Sequence, residues 1–153
     1  MAWLQAWRLV SVQRAETAFD GEGSYRYGNR WNYAGTRVVY LAASTSLAAL
    51  EVLVHADSYA ELPEYRAFPV EFDPALVLDL LELPPDWRHS PAPTSTKSLG
   101  SRWVKDGQSA LLRVPSAVVP WEYNYLLNAQ HPDYPTVKVG QPLVFAFDPR
   151  LDK

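Results

Sequence analysis

The sequence predicts a single α+β domain, and two observations support this fold class. Apolar stretches with the composition of β-strands outnumber the helical segments, and the two kinds of element do not alternate strictly, as they would in a doubly wound sheet. The length of 153 residues corresponds to one domain, residues 1–153, and hydrophobic residues make up 48% of the chain. A chain of this size and composition can bury a core without metal or disulfide support.

Six short apolar stretches suit strands, at residues 7–12, 38–42, 66–72, 77–81, 109–114 and 143–147. Two segments are predicted as helices, 45–56 and 94–105. In the first helix, Ser44, Thr45 and Ser46 are candidate N-caps. Leu47, Leu50 and Val54 are spaced to share one face of this helix. The proline-rich stretch 83–93 is interpreted as an irregular connection within the domain.

Composition excludes several function classes. The chain has no cysteine, which removes disulfides, thiol nucleophiles and cysteine metal sites and favours a reducing cytoplasmic location. Its 14 basic and 17 acidic residues give a net charge of −3 without a basic run, so we expect no direct nucleic-acid ligand. No apolar run is long enough for a membrane span. The three histidines lack the spacing of metal ligands, so no metal is expected.

Residues 21–35 form the most unusual segment, because four of the seven glycines fall within it. It is neither a Rossmann fingerprint nor a P-loop, since Arg26 stands where the third glycine would be and Asn29 precedes Arg30 where Lys-Ser/Thr is required. The two arginines alternate with aromatic residues, a combination that can bind phosphates and stack on planar rings. A surface hairpin with solvated arginines remains the alternative interpretation.

The predicted helix 45–56 is apolar except for its first turn, Glu51 and His55. The last two lie one helical turn apart and form a narrow polar strip. This strip marks either the solvent-facing side of the helix or a carboxylate at the rim of an apolar pocket, where it would counter a cationic transition state. Ser116 lies between Pro115 and Ala117 without a nucleophile elbow, so we interpret it as a hydrogen-bonding hydroxyl.

Several blocks, in order, resemble the RES-domain family, the toxins of bacterial RES-Xre toxin-antitoxin pairs, named for an Arg, a Glu and a Ser. These blocks are Trp-Arg-Leu at 7–9, Tyr-Arg-Tyr-Gly-Asn-Arg-Trp-Asn at 25–32, Val-Tyr-Leu-Ala at 39–42, Leu-Ala-Ala-Leu-Glu-Val at 47–52, and the stretches 112–120, 122–128 and 131–132. Asn29 departs from the family's usual glycine pair. Because asparagine tolerates a left-handed backbone, we expect the turn to survive.

The resemblance implies a mixed sheet with flanking helices, similar to the ADP-ribosyltransferase toxins, and cleavage of the nicotinamide-ribose bond of NAD+, which is a substrate and not a cofactor. It assigns Arg26 to the pyrophosphate or the nicotinamide ribose and Tyr40 to stacking on the nicotinamide. Glu51 would bond the ribose and stabilise an oxocarbenium-like centre, and Ser116 would bond the substrate or Glu51. Further substrate contacts are expected from Tyr27, Gly28, Arg30 and Asn124.

The first functional hypothesis is therefore a growth-arresting toxin, an NAD+ glycohydrolase or phosphorylase. A mono-ADP-ribosyltransferase acting on a cellular protein is the alternative from the same fold, and a non-catalytic nucleotide-binding module is the alternative from another class. A nucleic-acid-cleaving toxin is disfavoured by the charge balance. The resemblance also implies an Xre-type helix-turn-helix antitoxin that blocks the active site, and it leaves open whether the toxin forms a homodimer.

Overall fold

A computed structural model describes residues 2–59 and 62–152 of the chain. Its strands are β1 Leu4–Ser11, β2 Val39–Ala42, β3 Tyr65–Phe72, β4 Val77–Asp79, β5 Leu111–Pro115, β6 Tyr123–Leu127, β7 Lys138–Val139 and β8 Leu143–Phe145. Its α-helices are α1 Glu22–Tyr27, α2 Thr45–Leu53 and α3 Thr94–Asp106. The predicted α+β class is confirmed.

The strands form one mixed sheet in the order β4-β5-β6-β2-β1-β3-β7, with β8 also paired to β3. The pairing of β4 with β5 is parallel, and the other pairs are antiparallel. Pairing between β1 and β2 is limited to one registered pair, Trp7 with Ala42. The two strands are therefore paired at the end of β2, just before α2 begins.

Both faces of the central strands are buried. In β6, Tyr125 and Leu127 belong to one core cluster and Leu126 to another. Because successive side chains of a strand point to opposite faces, these two clusters lie on opposite sides of the sheet. This burial explains why consecutive apolar residues occur in β5, at 111–112, and in β6, at 125–127.

All six predicted strands are present, with bounds shifted by a few residues, but the sequence did not predict β6 or β7. Strand β7 has only two residues, and β6 carries the polar Asn124 directly after Tyr123. Helix α2 ends at Leu53 and not at residue 56. Ser44 caps the N-terminus of α2, as expected: its hydroxyl accepts a hydrogen bond from the Leu47 amide at 3.1 Å.

The predicted apolar face of α2 is wrong in part. Leu47 is buried, but Leu50 and Val54 are exposed, and the other buried positions of the helix are Ala48 and Leu53. The helix lies against β1 and β2, so its contact face is rotated from the one that the leucine spacing suggested. The surface-hairpin alternative for residues 21–35 is also incorrect, because residues 22–27 form helix α1.

In the two described ranges, no helix is long and apolar enough to cross a membrane. The same ranges contain no group of three or more His, Asp or Glu side chains that could hold a metal ion.

Candidate functional site

The site is centred on Glu51, which the second turn of α2 holds half-buried beside the sheet. One carboxylate oxygen, Oε1, accepts two hydrogen bonds, from Ser116 at 2.6 Å and from Asn124 at 3.0 Å. The described residues donate no hydrogen bond to the second oxygen, Oε2. The carboxylate is therefore held by one oxygen and leaves the other available to a ligand.

Ser116 follows β5 directly and is fully buried. Its hydroxyl donates to Glu51 and accepts from the amides of Val118 and Val119, each at 3.1 Å. A hydroxyl has one proton and two acceptor lone pairs, so this set uses its full capacity. Ser116 thus acts as a fixed hydrogen-bond donor to Glu51, and its proton faces this carboxylate and not an imidazole or an amine.

Asn124 lies on β6, paired with Ala42 of β2 on one side and with Val114 of β5 on the other. Its amide nitrogen donates to Glu51, and this fixes the orientation of the amide, since an ionised carboxylate only accepts. The amide oxygen Oδ1 is buried, and none of the described residues donates a hydrogen bond to it. Leaving a buried acceptor without a donor costs free energy, so Asn124 is kept at this position at a cost to stability.

Tyr40 of β2 is held through its hydroxyl, which donates to Asn32 Oδ1 at 2.7 Å and accepts from the Trp31 amide at 3.1 Å. On the main-chain side, Arg8 Nη1 donates to the Tyr40 carbonyl at 3.1 Å. Burial raises the pKa of Tyr40, so the phenol stays neutral. Because its hydroxyl is engaged, Tyr40 has only its ring to offer a substrate.

The turn between α1 and Trp31 depends on Gly28, which has a φ of 70° and ends α1. A Cβ at Gly28 would lie 3.0 Å from both the Ala34 amide nitrogen and the Asn32 carbonyl oxygen. Asn29 does not take a left-handed backbone, since no described residue other than glycine has a positive φ. Asn29 instead accepts a hydrogen bond from the Arg30 amide at 2.8 Å, which stabilises the turn.

Arg30 joins this turn to the irregular connection after β4. Its Nη1 donates to the carbonyls of Trp87 at 3.0 Å and His89 at 2.7 Å. Burial lowers the pKa of Arg30, and the nearby negative charge of Glu51 and the Tyr40 phenol act in the opposite direction. The guanidinium of Arg30 therefore lies close enough to Glu51 for their charges to interact.

Arg26 and Tyr27 lie apart from this cluster. Arg26 Nε contacts Glu22 Oε1 at 2.7 Å, and this exposed pair raises the pKa of Arg26. The Tyr27 side chain is 75% exposed. In the described residues, no hydrogen bond or ion pair joins either of them to Glu51, Ser116 or Asn124. The structure thus brings together Glu51, Ser116, Asn124 and Arg30, with Tyr40 behind them.

Sequence reasoning did not identify the stretch from Trp87 to His89 or the role of Asn32. Asn32 is fully buried, and its amide donates to the carbonyls of Ser24, Tyr33 and Thr36. An asparagine in a glycine-rich turn was a weak signal for this role. The stretch around Trp87 was interpreted only as a loop, because a contact 57 residues away in sequence leaves no local pattern.

A separate cleft of about 660 Å³ lies between α1 and α3 and includes Tyr25, Arg37, Arg102 and Lys105 in its lining. It lacks a carboxylate held by buried donors, since its acid, Asp106, is exposed at the end of α3. Cleavage chemistry therefore fits the Glu51 cluster and not this cleft.

The fold and the site define an α+β domain in which a buried serine and a strand asparagine fix a single helical glutamate. Residues 5–148 match the family model described as RES domain. The chain belongs to the RES-domain family.

Relatives cover almost the whole chain. A protein named Toxin Res from Yersinia enterocolitica is 40% identical over 151 residues, 97% of this chain and 99% of the relative. A protein named Prs ADP-ribosylating toxin from Sphingobium sp. is 39% identical over 154 residues, 95% of this chain and 94% of the relative. Another protein named Toxin Res, from Pseudomonas putida, is 38% identical over 148 residues, 95% of this chain and 97% of the relative.

The fold also matches a solved structure. A chain of the crystal structure of the M. tuberculosis MbcT-MbcA toxin-antitoxin complex superposes with a TM-score of 0.78 over 98% of this chain and 87% of that chain. The sequence identity in this match is 20%, so it bears on the fold alone.

Proposed function

We propose that this protein is a toxin that consumes NAD+ by cleaving the bond between nicotinamide and ribose. One observation carries the proposal: Glu51 is locked through Oε1 by Ser116 and Asn124 and keeps Oε2 free. A fixed carboxylate with one free oxygen is suited to bind a sugar hydroxyl and to stabilise positive charge that develops on the sugar.

In the proposed reaction, the C1′–N bond of the nicotinamide ribose breaks and its electron pair goes to the ring nitrogen, which becomes neutral. Positive charge develops on C1′ and the ring oxygen, where the Glu51 carboxylate stabilises it. A ribose hydroxyl donates to Glu51 Oε2, and the Tyr40 ring stacks on the nicotinamide. Water or phosphate then forms a bond to C1′, and a proton leaves to solvent.

The toxin assignment is supported by the relatives named Toxin Res, which align with this chain over nearly all of their length. We expect this protein to act with a cognate antitoxin of the Xre type that covers the Glu51 site. A toxin-antitoxin complex with the same fold supports such a pairing. Expression of the toxin alone should arrest growth, and co-expression of the antitoxin should restore it; harmless expression of intact protein would contradict this role.

Transfer of ADP-ribose to a cellular protein is the second candidate. The Sphingobium relative, at 39% identity, is named an ADP-ribosylating toxin, and this name favours the alternative. The two reactions share the bond-breaking step and differ only in the acceptor at C1′.

Purified protein incubated with NAD+ labelled in its adenylate portion distinguishes the acceptors. Cleavage by the free enzyme should give labelled ADP-ribose in water, or its 1″-phosphate when phosphate is present. A protein transferase should instead label a macromolecule in cell extract. Binding of NAD+ without any loss of nicotinamide, in buffer and in extract, would contradict both reactions and favour a binding module.

A further inference from the structure

We propose that Arg88, in the irregular connection after β4, binds the diphosphate of the substrate. This inference rests on the proposed function and names a contact that the sequence did not indicate. It follows from how the arginines around the site use their nitrogen atoms.

Two of these arginines are already engaged. The exposed Arg26 is paired with the carboxylate of Glu22. Arg30 uses Nη1 to hold the carbonyls of Trp87 and His89. The charge of Arg26 is already neutralised by Glu22, and Arg30 already holds two carbonyls of the loop. Neither guanidinium therefore presents an unpaired set of donors to a phosphate.

Arg88 is held differently. Its Nε donates to the Ala117 carbonyl at 2.8 Å, and the two terminal nitrogens have no protein partner in the described ranges. No described carboxylate forms an ion pair with it. An arginine anchored through Nε keeps its two terminal amino groups side by side, the geometry that binds two phosphate oxygens at once.

The anchor places Arg88 beside the reaction centre. Ala117 is bonded directly to Ser116, whose hydroxyl contacts Glu51 at 2.6 Å. Consecutive Cα atoms are about 3.8 Å apart, so the Arg88 guanidinium lies next to the residue that holds the carboxylate. The main-chain carbonyls of the two neighbours of Arg88, Trp87 and His89, are held by Arg30, whose charge interacts with that of Glu51.

The connection 84–91 is thus tied by the hydrogen bonds of Arg30 and by the bond between Arg88 and Ala117, and this limits where Arg88 can move. Ser95 adds a further tie by donating to Asp86 Oδ1 at 2.5 Å, and the Trp87 ring packs against the core cluster that contains Trp31. Pre-positioning of a cationic side chain reduces the entropy that binding must overcome. A diphosphate one sugar away from the cleaved bond is the anion in NAD+ that such a group would meet.

Substrate truncation tests this assignment. NAD+ contains the diphosphate, and nicotinamide riboside has the same scissile bond and no phosphate. Arg88→Gln should raise the KM for NAD+ roughly tenfold or more with little change in kcat, as expected for the loss of a charged hydrogen bond. The kcat/KM for nicotinamide riboside should stay unchanged, and Arg88→Lys should recover part of the loss.

Arg102→Gln is the matched control, because it removes the same charge from an exposed arginine of α3 that lacks a described partner. An equal loss for NAD+ and nicotinamide riboside in Arg88→Gln would overturn the proposal, since it would show that Arg88 acts only by bracing Ala117. Behaviour identical to Arg102→Gln would overturn it as well.

The affinity for ADP-ribose, measured by calorimetry, tests the role of Arg88 without requiring turnover of a substrate. Arg88→Gln should weaken this binding about tenfold relative to the Arg102→Gln control. If the wild-type protein cleaves neither substrate, the proposed function fails, and the calorimetry still decides the role of Arg88. Unchanged affinity in Arg88→Gln, or no ADP-ribose binding by the wild type, would overturn the assignment.

Discussion

Ser116 donates its hydroxyl proton to Glu51 at 2.6 Å across 65 residues of sequence. The same hydroxyl accepts hydrogen bonds from the amides of Val118 and Val119, so one oxygen atom links the turn after β5 to the carboxylate on α2. This contact explains why Ser116, which has no nucleophile elbow around it, is found at the centre of the site.

Ser116→Ala should therefore reduce both stability and activity. The substitution leaves two buried amides without an acceptor and costs about 1–3 kcal/mol of unfolding free energy. It also frees the Glu51 carboxylate from one of its two donors, so nicotinamide release should fall by about tenfold or more. Urea unfolding and a nicotinamide assay measure the two effects.

Ser11→Ala is the control for this substitution, because the Ser11 side chain forms no capping hydrogen bond at the short 3-10 helix that follows β1. It should change neither quantity appreciably. A stable, fully active Ser116→Ala protein would show that the hydrogen bond to Glu51 has no role in the reaction.

The arginines give a second prediction. Arg30→Gln should lower activity more than Arg26→Gln, because Arg30 lies near the Glu51 charge and holds the Trp87 stretch, whereas Arg26 forms an exposed pair with Glu22. Nicotinamide release by the two variants, each checked for folding by circular dichroism, gives the comparison. An inactive Arg26→Gln beside an active Arg30→Gln would support the pyrophosphate role that the family resemblance assigns to Arg26.

The burial of Tyr40 should make the free energy of unfolding fall at alkaline pH. Burial raises its pKa above the ordinary value near 10, so in the folded protein the phenol stays neutral where the unfolded chain ionises. The stabilisation is therefore complete below about pH 10 and is lost as the pH rises above it. Unfolding free energies measured between pH 8 and 11 should fall more steeply for the wild type than for Tyr40→Phe.

Tyr40→Phe should itself be less stable at pH 8 by about 1 kcal/mol, since the bonds to Asn32 and Trp31 are lost. Parallel pH profiles for the two proteins would mean that Tyr40 ionises as freely in the folded state as in the unfolded one.

Gly28→Ala should destabilise the turn that leads to Arg30. The left-handed φ of 70° and the close approach of the Asn32 carbonyl both oppose a side chain there, and the expected cost is more than about 1 kcal/mol. Gly23→Ala, inside α1, is the matched control: a Cβ at Gly23 meets nothing within 4 Å. That variant should be stabilised by roughly 0.5–1 kcal/mol, because alanine favours helix over glycine. Thermal unfolding that ranks the two variants in the reverse order would contradict the described turn.

The fold class and most strands could be predicted because their signals are local. Apolar runs mark the strands, and Ser44 marks the start of α2 through a contact only three residues away. Strand β6 was missed because Asn124 interrupts its apolar pattern, and the functional reason for that asparagine is its bond to Glu51. Asn124 breaks the apolar pattern of a buried strand, and such exceptions are expected at residues of a functional site.

The candidate site was predictable only in part for the same reason. Glu51 is indicated by the polar strip of its helix and Ser116 as a hydrogen-bonding hydroxyl, and the family resemblance adds their roles. Their direct contact agrees with one of the two roles that the resemblance offers for the serine. Arg88 carries no signal in the sequence, because its contact with Ala117 joins two irregular segments 29 residues apart. The exposure of Leu50 and Val54 could not be predicted either, since the spacing of apolar residues does not show on which side of α2 the sheet lies.

Release of nicotinamide from NAD+ by the purified protein, compared with Glu51→Gln, tests the central claim most directly. Glutamine keeps the shape of the side chain and removes the negative charge, so the variant should fold normally and lose at least about 100-fold in rate. Rapid release by the wild type that disappears in Glu51→Gln is the predicted result. An equal rate in a folded Glu51→Gln protein would contradict the claim that this carboxylate drives the cleavage.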